Sequence, residues 1–208
     1  MPRLLDLFCG AGGCSVGYHR AGFEVVGVDS RPQPRYPFEF HQADALTFPL
    51  DGFDVIHASP PCQHYCVCNR GLGNTHLYPD LIRKVRDRLN GLMYVIENVP
   101  GAPLVQPITL CGSMFGLRTE VGWLRRHRLF ELPLVILAPS CSHPTGMSIG
   151  VYGHGTNSYH REKLGRNITV DEKREAMGID WMTGKELSQA IPPAYTEWIG
   201  RRLLAKLT

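Results

Sequence analysis

The sequence predicts an α/β domain built on a doubly wound, mainly parallel sheet. Three observations carry that expectation. Short apolar runs alternate with helical patterns through the first hundred residues, which favours parallel strands joined by crossover helices. A glycine turn directly follows the first run. Residues able to do chemistry recur where these runs end, the edge at which open α/β sheets hold their ligands.

Length and composition set the frame. At 208 residues, with 43% hydrophobic and 20% charged side chains, the chain reads as one soluble catalytic-sized domain, 1–208, with a core of its own. A formal charge of +3 permits a nucleic-acid partner without arguing for one. The start, Met1-Pro2-Arg3-Leu4-Leu5-Asp6, meets an acid and then glycines before a signal-peptide apolar region forms. The longest apolar stretch, near Leu132 to Ala138, is too short to cross a bilayer, so no membrane partner is expected. Seven cysteines, an odd number, favour a reducing compartment and a cytoplasmic location.

Taken in order, Leu4 to Phe8 is an apolar strand and Cys9-Gly10-Ala11-Gly12-Gly13 a tight turn. Cys14 to Ala21 is helical and is stopped by Gly22; Glu24 to Val28 is a second strand ending on Asp29. A strand, glycine loop, helix, strand and acid in that order open a nucleotide-cofactor fold. Glycines let the backbone approach a ligand, and the carboxylate can accept ribose hydroxyls; the alternative is a turn that binds nothing. Arg31 to Pro37 is a proline-rich loop, and His41 to Asp44 closes a third strand on another acid.

Phe53 to His57 reads as a buried strand that Pro60-Pro61 must terminate, leaving Cys62 at the mouth of the sheet. A thiol there is a nucleophile, a metal ligand or an inert filler. Asn69 to His76 is expected as a loop, Leu77 to Leu89 as a helix, and Met93 to Ile96 as a strand delivering Glu97. Arg125-Arg126-His127-Arg128 is a basic turn feeding a further strand. Pro139 to Arg166 lacks sustained periodicity and reads as a loop-dominated insert. Thr169-Val170-Asp171-Glu172 and Thr183-Gly184-Lys185-Glu186 match helix capping boxes, and Pro192-Pro193 precedes a last helix, Tyr195 to Leu207.

Together these features resemble the S-adenosylmethionine-dependent cytosine C5 DNA methyltransferases. Asp6 to Gly13 is similar to that family's cofactor loop, Pro60-Pro61-Cys62-Gln63 to its nucleophile motif and Glu97-Asn98-Val99 to its acidic motif. Arg126-His127-Arg128 is similar to its paired arginines. Arg166-Asn167-Ile168-Thr169 to Gly178 and Ala190-Ile191-Pro192-Pro193 are similar to its two closing motifs. The motifs fall in the family's order across most of the chain.

The resemblance implies a sheet of the class I methyltransferase type, S-adenosylmethionine as cofactor, and DNA as partner. Cys62 would be the nucleophile, Glu97 the acid near N3 of the base, Arg128 the O2 contact and Arg126 its neighbour on substrate or phosphate. Phe8, Cys9, Gly10, Gly12 and Gly13 would enclose the cofactor's methionine end, Asp29 would take its ribose, Asp44 its adenine amino group, and Pro60 would line the site. The final motifs depart from the family at Glu175 and Ser188-Gln189. Residues 133–165 form only a small insert where the family carries a target-recognition domain. A compact, phage-like enzyme with relaxed or short sequence preference is therefore expected. The same chemistry on a free cytosine nucleotide, or an inactive binding module of the same fold, are the alternatives.

No metal is assigned. Cys62, Cys66 and Cys68, with His64, miss the common zinc spacings. Cys141 with His143, His154 and His160 presents zinc-ligand types, weighed against solvated loop histidines. Cys9, Cys14 and Cys111 are expected as buried hydrophobes, and the arginines of Arg83 to Arg88 and Arg201-Arg202 as solvated helix faces.

Overall fold

The computed structural model describes residues 1–152 and 158–207. The first half comprises β1 (Arg3–Leu7), α1 (Gly13–Ala21), β2 (Glu24–Asp29), β3 (Glu39–Gln42), β4 (Val55–Ala58), α2 (Val67–Gly71), α3 (Ile82–Leu89) and β5 (Tyr94–Asn98). The second half adds β6 (Ile108–Leu110), β7 (Arg118–Thr119), β8 (Gly122–Leu124), β9 (Arg128–Glu131) and β10 (Ser148–Ile149). It ends with α4 (Ser158–Leu164), α5 (Val170–Met177), α6 (Gly184–Gln189) and α7 (Pro193–Leu207).

Seven strands form one sheet in the order β3-β2-β1-β4-β5-β9-β6. The first five are parallel, and β9 runs antiparallel to both β5 and β6. The doubly wound, mainly parallel sheet expected from the sequence is thus the one that forms. Alternate residues of each strand enter opposite cores. Leu4, Val25, Val55 and Val95 pack with Tyr18, Tyr195 and Ile199 of α1 and α7. Leu5, Val26, Ile56 and Ile96 face Val85 and Leu89 of α3. Burial on both faces explains why these strands read as continuous apolar runs.

α1 and α7 lie close because glycines face each other's helix. A Cβ on Gly17 would overlap Thr196, and one on Gly200 would stand 2.7 Å from Cβ of Ala21. Gly22 stops α1 at φ 115°, a left-handed cap that turns its N–H back to the carbonyls of Tyr18 and His19.

The structure corrects three expectations. α3 begins at Ile82 rather than Leu77, because Pro79 disfavours helix at Tyr78 before it; Thr75–Leu77 forms a separate 3₁₀ turn. The α3 arginines are not all solvated. Arg86 grips the buried Glu131 through two bonds of 2.7 Å, and Arg88 donates to the carbonyls of Ala45 and Phe48. Nor is Arg202 simply solvated, since its guanidinium lies 3.6 Å from the ring centre of Trp198.

Within 133–165, residues 133–147 carry no helix or strand. β10 then joins β8 and β7 in a small second sheet. Ile149 and Val151 share a third core with Leu124, Ile168, Met177 and Leu187. α5 and α6 start at the two capping boxes, with Thr169 and Thr183 each accepting from a backbone N–H three residues on.

Candidate active site

Three strands deliver the site. β1 ends in the glycine turn, β4 in Ser59-Pro60-Pro61-Cys62, and β5 in Glu97-Asn98. Parallel pairing of β1 with β4 and of β4 with β5 brings these ends side by side. Asn98 locks two of them together: its amide donates to the Pro60 carbonyl at 2.9 Å, and its own oxygen accepts from the Val99 N–H at 3.0 Å. The stiff turn carrying Cys62 is thereby fixed to the strand carrying Glu97.

Glu97 is buried, and burial raises its carboxyl above the usual range, with Arg128 opposing the rise. Arg128 Nε lies 3.2 Å from its Oε1. A chain of buried donors also converges on this carboxylate. Tyr18 Oη is 2.9 Å from His57 Nδ1, His57 Nε2 is 2.8 Å from Ser59 Oγ, and Ser59 bonds Glu97. Burial pushes His57 down to about 3, so its ring is neutral. With Glu97 ionised, one assignment satisfies every group: Tyr18 donates to Nδ1, Nε2–H donates to Ser59, and Ser59 donates to the carboxylate. Sequence reasoning missed Tyr18, His57, Ser59 and Asn98 as positioning residues. The available signal was a histidine inside an otherwise apolar strand.

Cys62 is partly exposed at the mouth. Burial pushes its thiol up, Glu97 adds to the rise, and Arg128 counters it. The neighbouring Gln63 keeps its buried side-chain oxygen without a hydrogen-bond partner among the described residues.

Arg126 stands close enough for its charge to help lower the Glu97 carboxyl, but its hydrogen bonds go to the backbone. Its side chain is fully buried, and it donates to the carbonyls of Val151, Ser188 (3.0 Å) and Ala190 (2.6 Å). Arg126 ties the middle of the insert, at Val151, to the final motif, where Ser188-Gln189 departs from the family pattern.

At the other side of the mouth, Phe8 turns the chain at φ 61° and Gly10 at φ 51°. Asp29, half-buried at the end of β2, accepts from the Gly10 N–H at 3.1 Å and the Arg31 N–H at 2.9 Å. Nothing lies within 4 Å of where a Gly10 side chain would begin. A fixed carboxylate beside open space fits the ribose of a nucleoside cofactor. Gly12 and Gly13 serve the chain's own packing: a Cβ would stand 2.9 Å from Pro37 Cδ on the first and 2.5 Å from the Ile191 carbonyl on the second. Cys9 is buried, and burial raises its thiol, assisted by Asp6 and Asp29. Asp44 is exposed and caps a short turn, its Oδ1 accepting from the Leu46 N–H at 2.9 Å. Pro60 is buried beside Cys62.

Asp6 lies beneath the loop, fully buried, bonded to Ser15 through one oxygen and without a hydrogen-bond partner on the other among the described residues. Desolvation raises its carboxyl to about 7. Trp181 Nε1 donates to the Ala11 carbonyl at 2.8 Å, and Thr196 Oγ1 to that of Cys14 at 2.9 Å, so late residues brace the loop.

Comparison with known proteins agrees with this geometry. Residues 2–103 match the family model described as C-5 cytosine-specific DNA methylase. The chain is 30% identical over 131 residues to the Type II methyltransferase M.HgiDI of Herpetosiphon aurantiacus, covering 55% of this chain and 42% of that one. It is 32% identical over 119 residues to M1.HphI of Haemophilus parahaemolyticus, covering 46% and 32%. The match thus spans less than half the length of these curated relatives. Among solved structures, the S. pombe Dnmt2 methyltransferase superposes with a TM-score of 0.62 at 14% identity, covering 100% of both chains. The Entamoeba histolytica methyltransferase EhMeth gives 0.62 at 13% identity, covering 100% of this chain and 99% of that one, so both share its fold. Through residues 2–103 and the motif order they carry, the chain is similar to the C-5 cytosine-specific DNA methylase family.

Proposed function

We propose that this chain transfers a methyl group from S-adenosylmethionine to C5 of cytosine in DNA, through a covalent bond between Cys62 and C6 of the base. The observation that carries the proposal is the placement of Cys62 within the field of the buried Glu97–Arg128 pair at adjoining strand ends. Gly10 and Asp29 hold the cofactor's nucleoside, and Asp44 stands at the same edge for its base. When bound, S-adenosylmethionine supplies an electrophilic methyl group.

Cytosine C5 is a poor nucleophile until the ring is loaded. The Cys62 thiolate adds its electron pair to C6, and the displaced π electrons move onto C5 and toward N3. Glu97, whose carboxyl burial favours in its protonated form, supplies a proton at N3, and Arg128 stabilises the charge developing at O2. After methylation a base takes the C5 proton, the C5–C6 double bond re-forms, and Cys62 leaves with the electron pair of the C–S bond.

Sequence preference is relaxed or short. Residues 133–147 lack regular structure, and β10 is absorbed into a shared core, so the described part of the insert supplies few groups to read base edges.

Duplex DNA carrying 5-fluorocytosine, incubated with the protein and S-adenosylmethionine, should give a stable adduct at Cys62, because fluorine does not leave as a proton does. Cys62→Ala should give none, and Asp29→Ala should weaken cofactor binding in calorimetry while leaving the fold intact. Bisulfite sequencing of plasmid from expressing cells should show many cytosine contexts modified. An adduct mapped to Cys66 or Cys68, or full turnover in Cys62→Ala, defeats the covalent assignment. Methylation confined to one sequence of four or more bases defeats relaxed preference.

A further inference from the structure

The insert's irregular segment meets the main sheet at a cluster that the proposed methyl transfer does not use. Cys111, His127, Cys141 and His143 bring one ligand atom each to a common point, all within 4.8 Å of one another. Cys111 Sγ is 3.7 Å from His143 Nε2, which is 3.2 Å from Cys141 Sγ, which is 3.4 Å from His127 Nε2. In a tetrahedral zinc site, bonds of about 2.3 Å to sulfur and 2.0–2.1 Å to nitrogen place ligand atoms roughly 3.3–3.8 Å apart. Two of the three distances fall within that range, and the third, 3.2 Å, lies just below it.

We propose that Cys111, His127, Cys141 and His143 form a structural zinc site that fastens the insert to the catalytic sheet. Two thiolates and two imidazoles are a donor set zinc favours, and four protein ligands leave no open coordination position for chemistry. Packing alone accounts for Cys111, which is fully buried, but not for two histidines and a second thiol converging on it from other segments. Cys111 follows β6, His127 precedes β9, and Cys141 and His143 come from residues 133–147.

That last segment is the one with most need of a fastener. It has no helix or strand; Leu134 and Ala138 are only partly buried against the core, and Val135 and Leu137 are 90% and 88% exposed. The site also has a consequence for the crevice. His127 stands between Arg126 and Arg128, so a metal on its ring would fix the turn that presents Arg128 to Glu97. Sequence spacing hid the set because only Cys141 and His143 are neighbours. His160, grouped with them from the sequence, is buried 3.2 Å from the Ser148 carbonyl instead, and His154 lies outside the described residues.

The test is metal content of the full chain purified without chelator and then given zinc, measured by elemental mass spectrometry. About one tightly held zinc per chain is expected, reduced at least tenfold in Cys141→Ser and in His143→Ala, whose side chains are exposed, and retained in Cys66→Ser. Cobalt in place of zinc should give the intense visible bands and thiolate charge-transfer absorption of a tetrahedral site. Chelation should lower the melting temperature of the unmodified chain but not of Cys141→Ser. Zinc absent after reconstitution, zinc kept by both ligand variants, an octahedral cobalt spectrum, or a Cys111–Cys141 disulfide in the freshly isolated protein would each overturn the site.

Discussion

Arg128 Nε stands 3.2 Å from Oε1 of Glu97 while each side chain is only 8% exposed, so the two charges face each other largely out of water. Removing one partner of such a pair leaves the other buried and uncompensated. Arg128→Ala should therefore lower stability by about 3–5 kcal/mol in urea unfolding. Adding Glu97→Gln to it should recover part of that loss. Simple additivity of the two substitutions would show that the pair is not coupled.

The same carboxylate acts on the Cys62 thiol. Burial raises the Cys62 thiol first, and the Glu97 charge raises it further. Glu97→Gln removes that like charge, so the pH midpoint for alkylation of Cys62 by iodoacetamide should fall, even as methyl transfer slows by about a hundredfold or more. Mass spectrometry of the Cys62 peptide reads the first effect and labelled methyl transfer the second. A midpoint that rises in the variant contradicts the geometry.

Two buried groups give opposite pH dependences to folding. The Asp6 carboxyl is raised from 3.8 to about 7, so the native state holds its proton more tightly than the unfolded state does. Its contribution is greatest below about pH 4 and is lost as pH rises toward 7. His57 is lowered from 6.5 to about 3, so the unfolded state binds the extra proton, and stability is lost as pH falls through that window. Asp6→Asn should therefore gain relative to the parent as pH rises from 4 to 7, whereas His57→Leu should gain relative to it as pH falls from 6.5 to 4. Denaturation curves at several pH values test both slopes, and slopes of equal sign would refute the assignment.

Arg126 holds three carbonyls from two segments, with burial pulling its guanidinium down from its ordinary range. Arg126→Ala strands those carbonyls and opens a cavity, so a loss of about 3–5 kcal/mol is expected. Arg126→Lys restores charge but not the fork, and should recover less than half of it. A variant that keeps parental stability but loses only DNA binding would return Arg126 to a phosphate-contact role.

What was legible in the sequence was what is decided locally. The β1 turn, the Gly22 stop, the Pro-Pro break before Cys62 and both capping boxes depend on a few adjacent residues, and their places could be read directly. The order of the strand ends then put Cys62 and Glu97 together. Features decided at a distance were not legible. Arg86 looks solvated until Glu131, 45 residues away, is placed beside it. β6, β7 and β8 are only two or three residues long, too short to show a period. His57 reads as one letter of an apolar run until Tyr18 and Ser59 flank it, and the backbone bonds of Arg126 show only once Val151 and Ala190 are placed beside it.

The bracing of the glycine turn by Trp181, Ile191 and Thr196 has a consequence for the order in which this protein becomes competent. A chain emerges from the ribosome N-terminus first, and early segments can begin to fold before later ones exist. Here the glycine turn is among the first parts made, yet the residues that brace it arrive some 170 to 180 residues afterward. A nascent chain that has presented all of β1 to β5 still lacks the residues that brace its first turn. Premature termination after Asn98 would therefore yield a fragment bearing Cys62 and Glu97 beside an unbraced glycine turn.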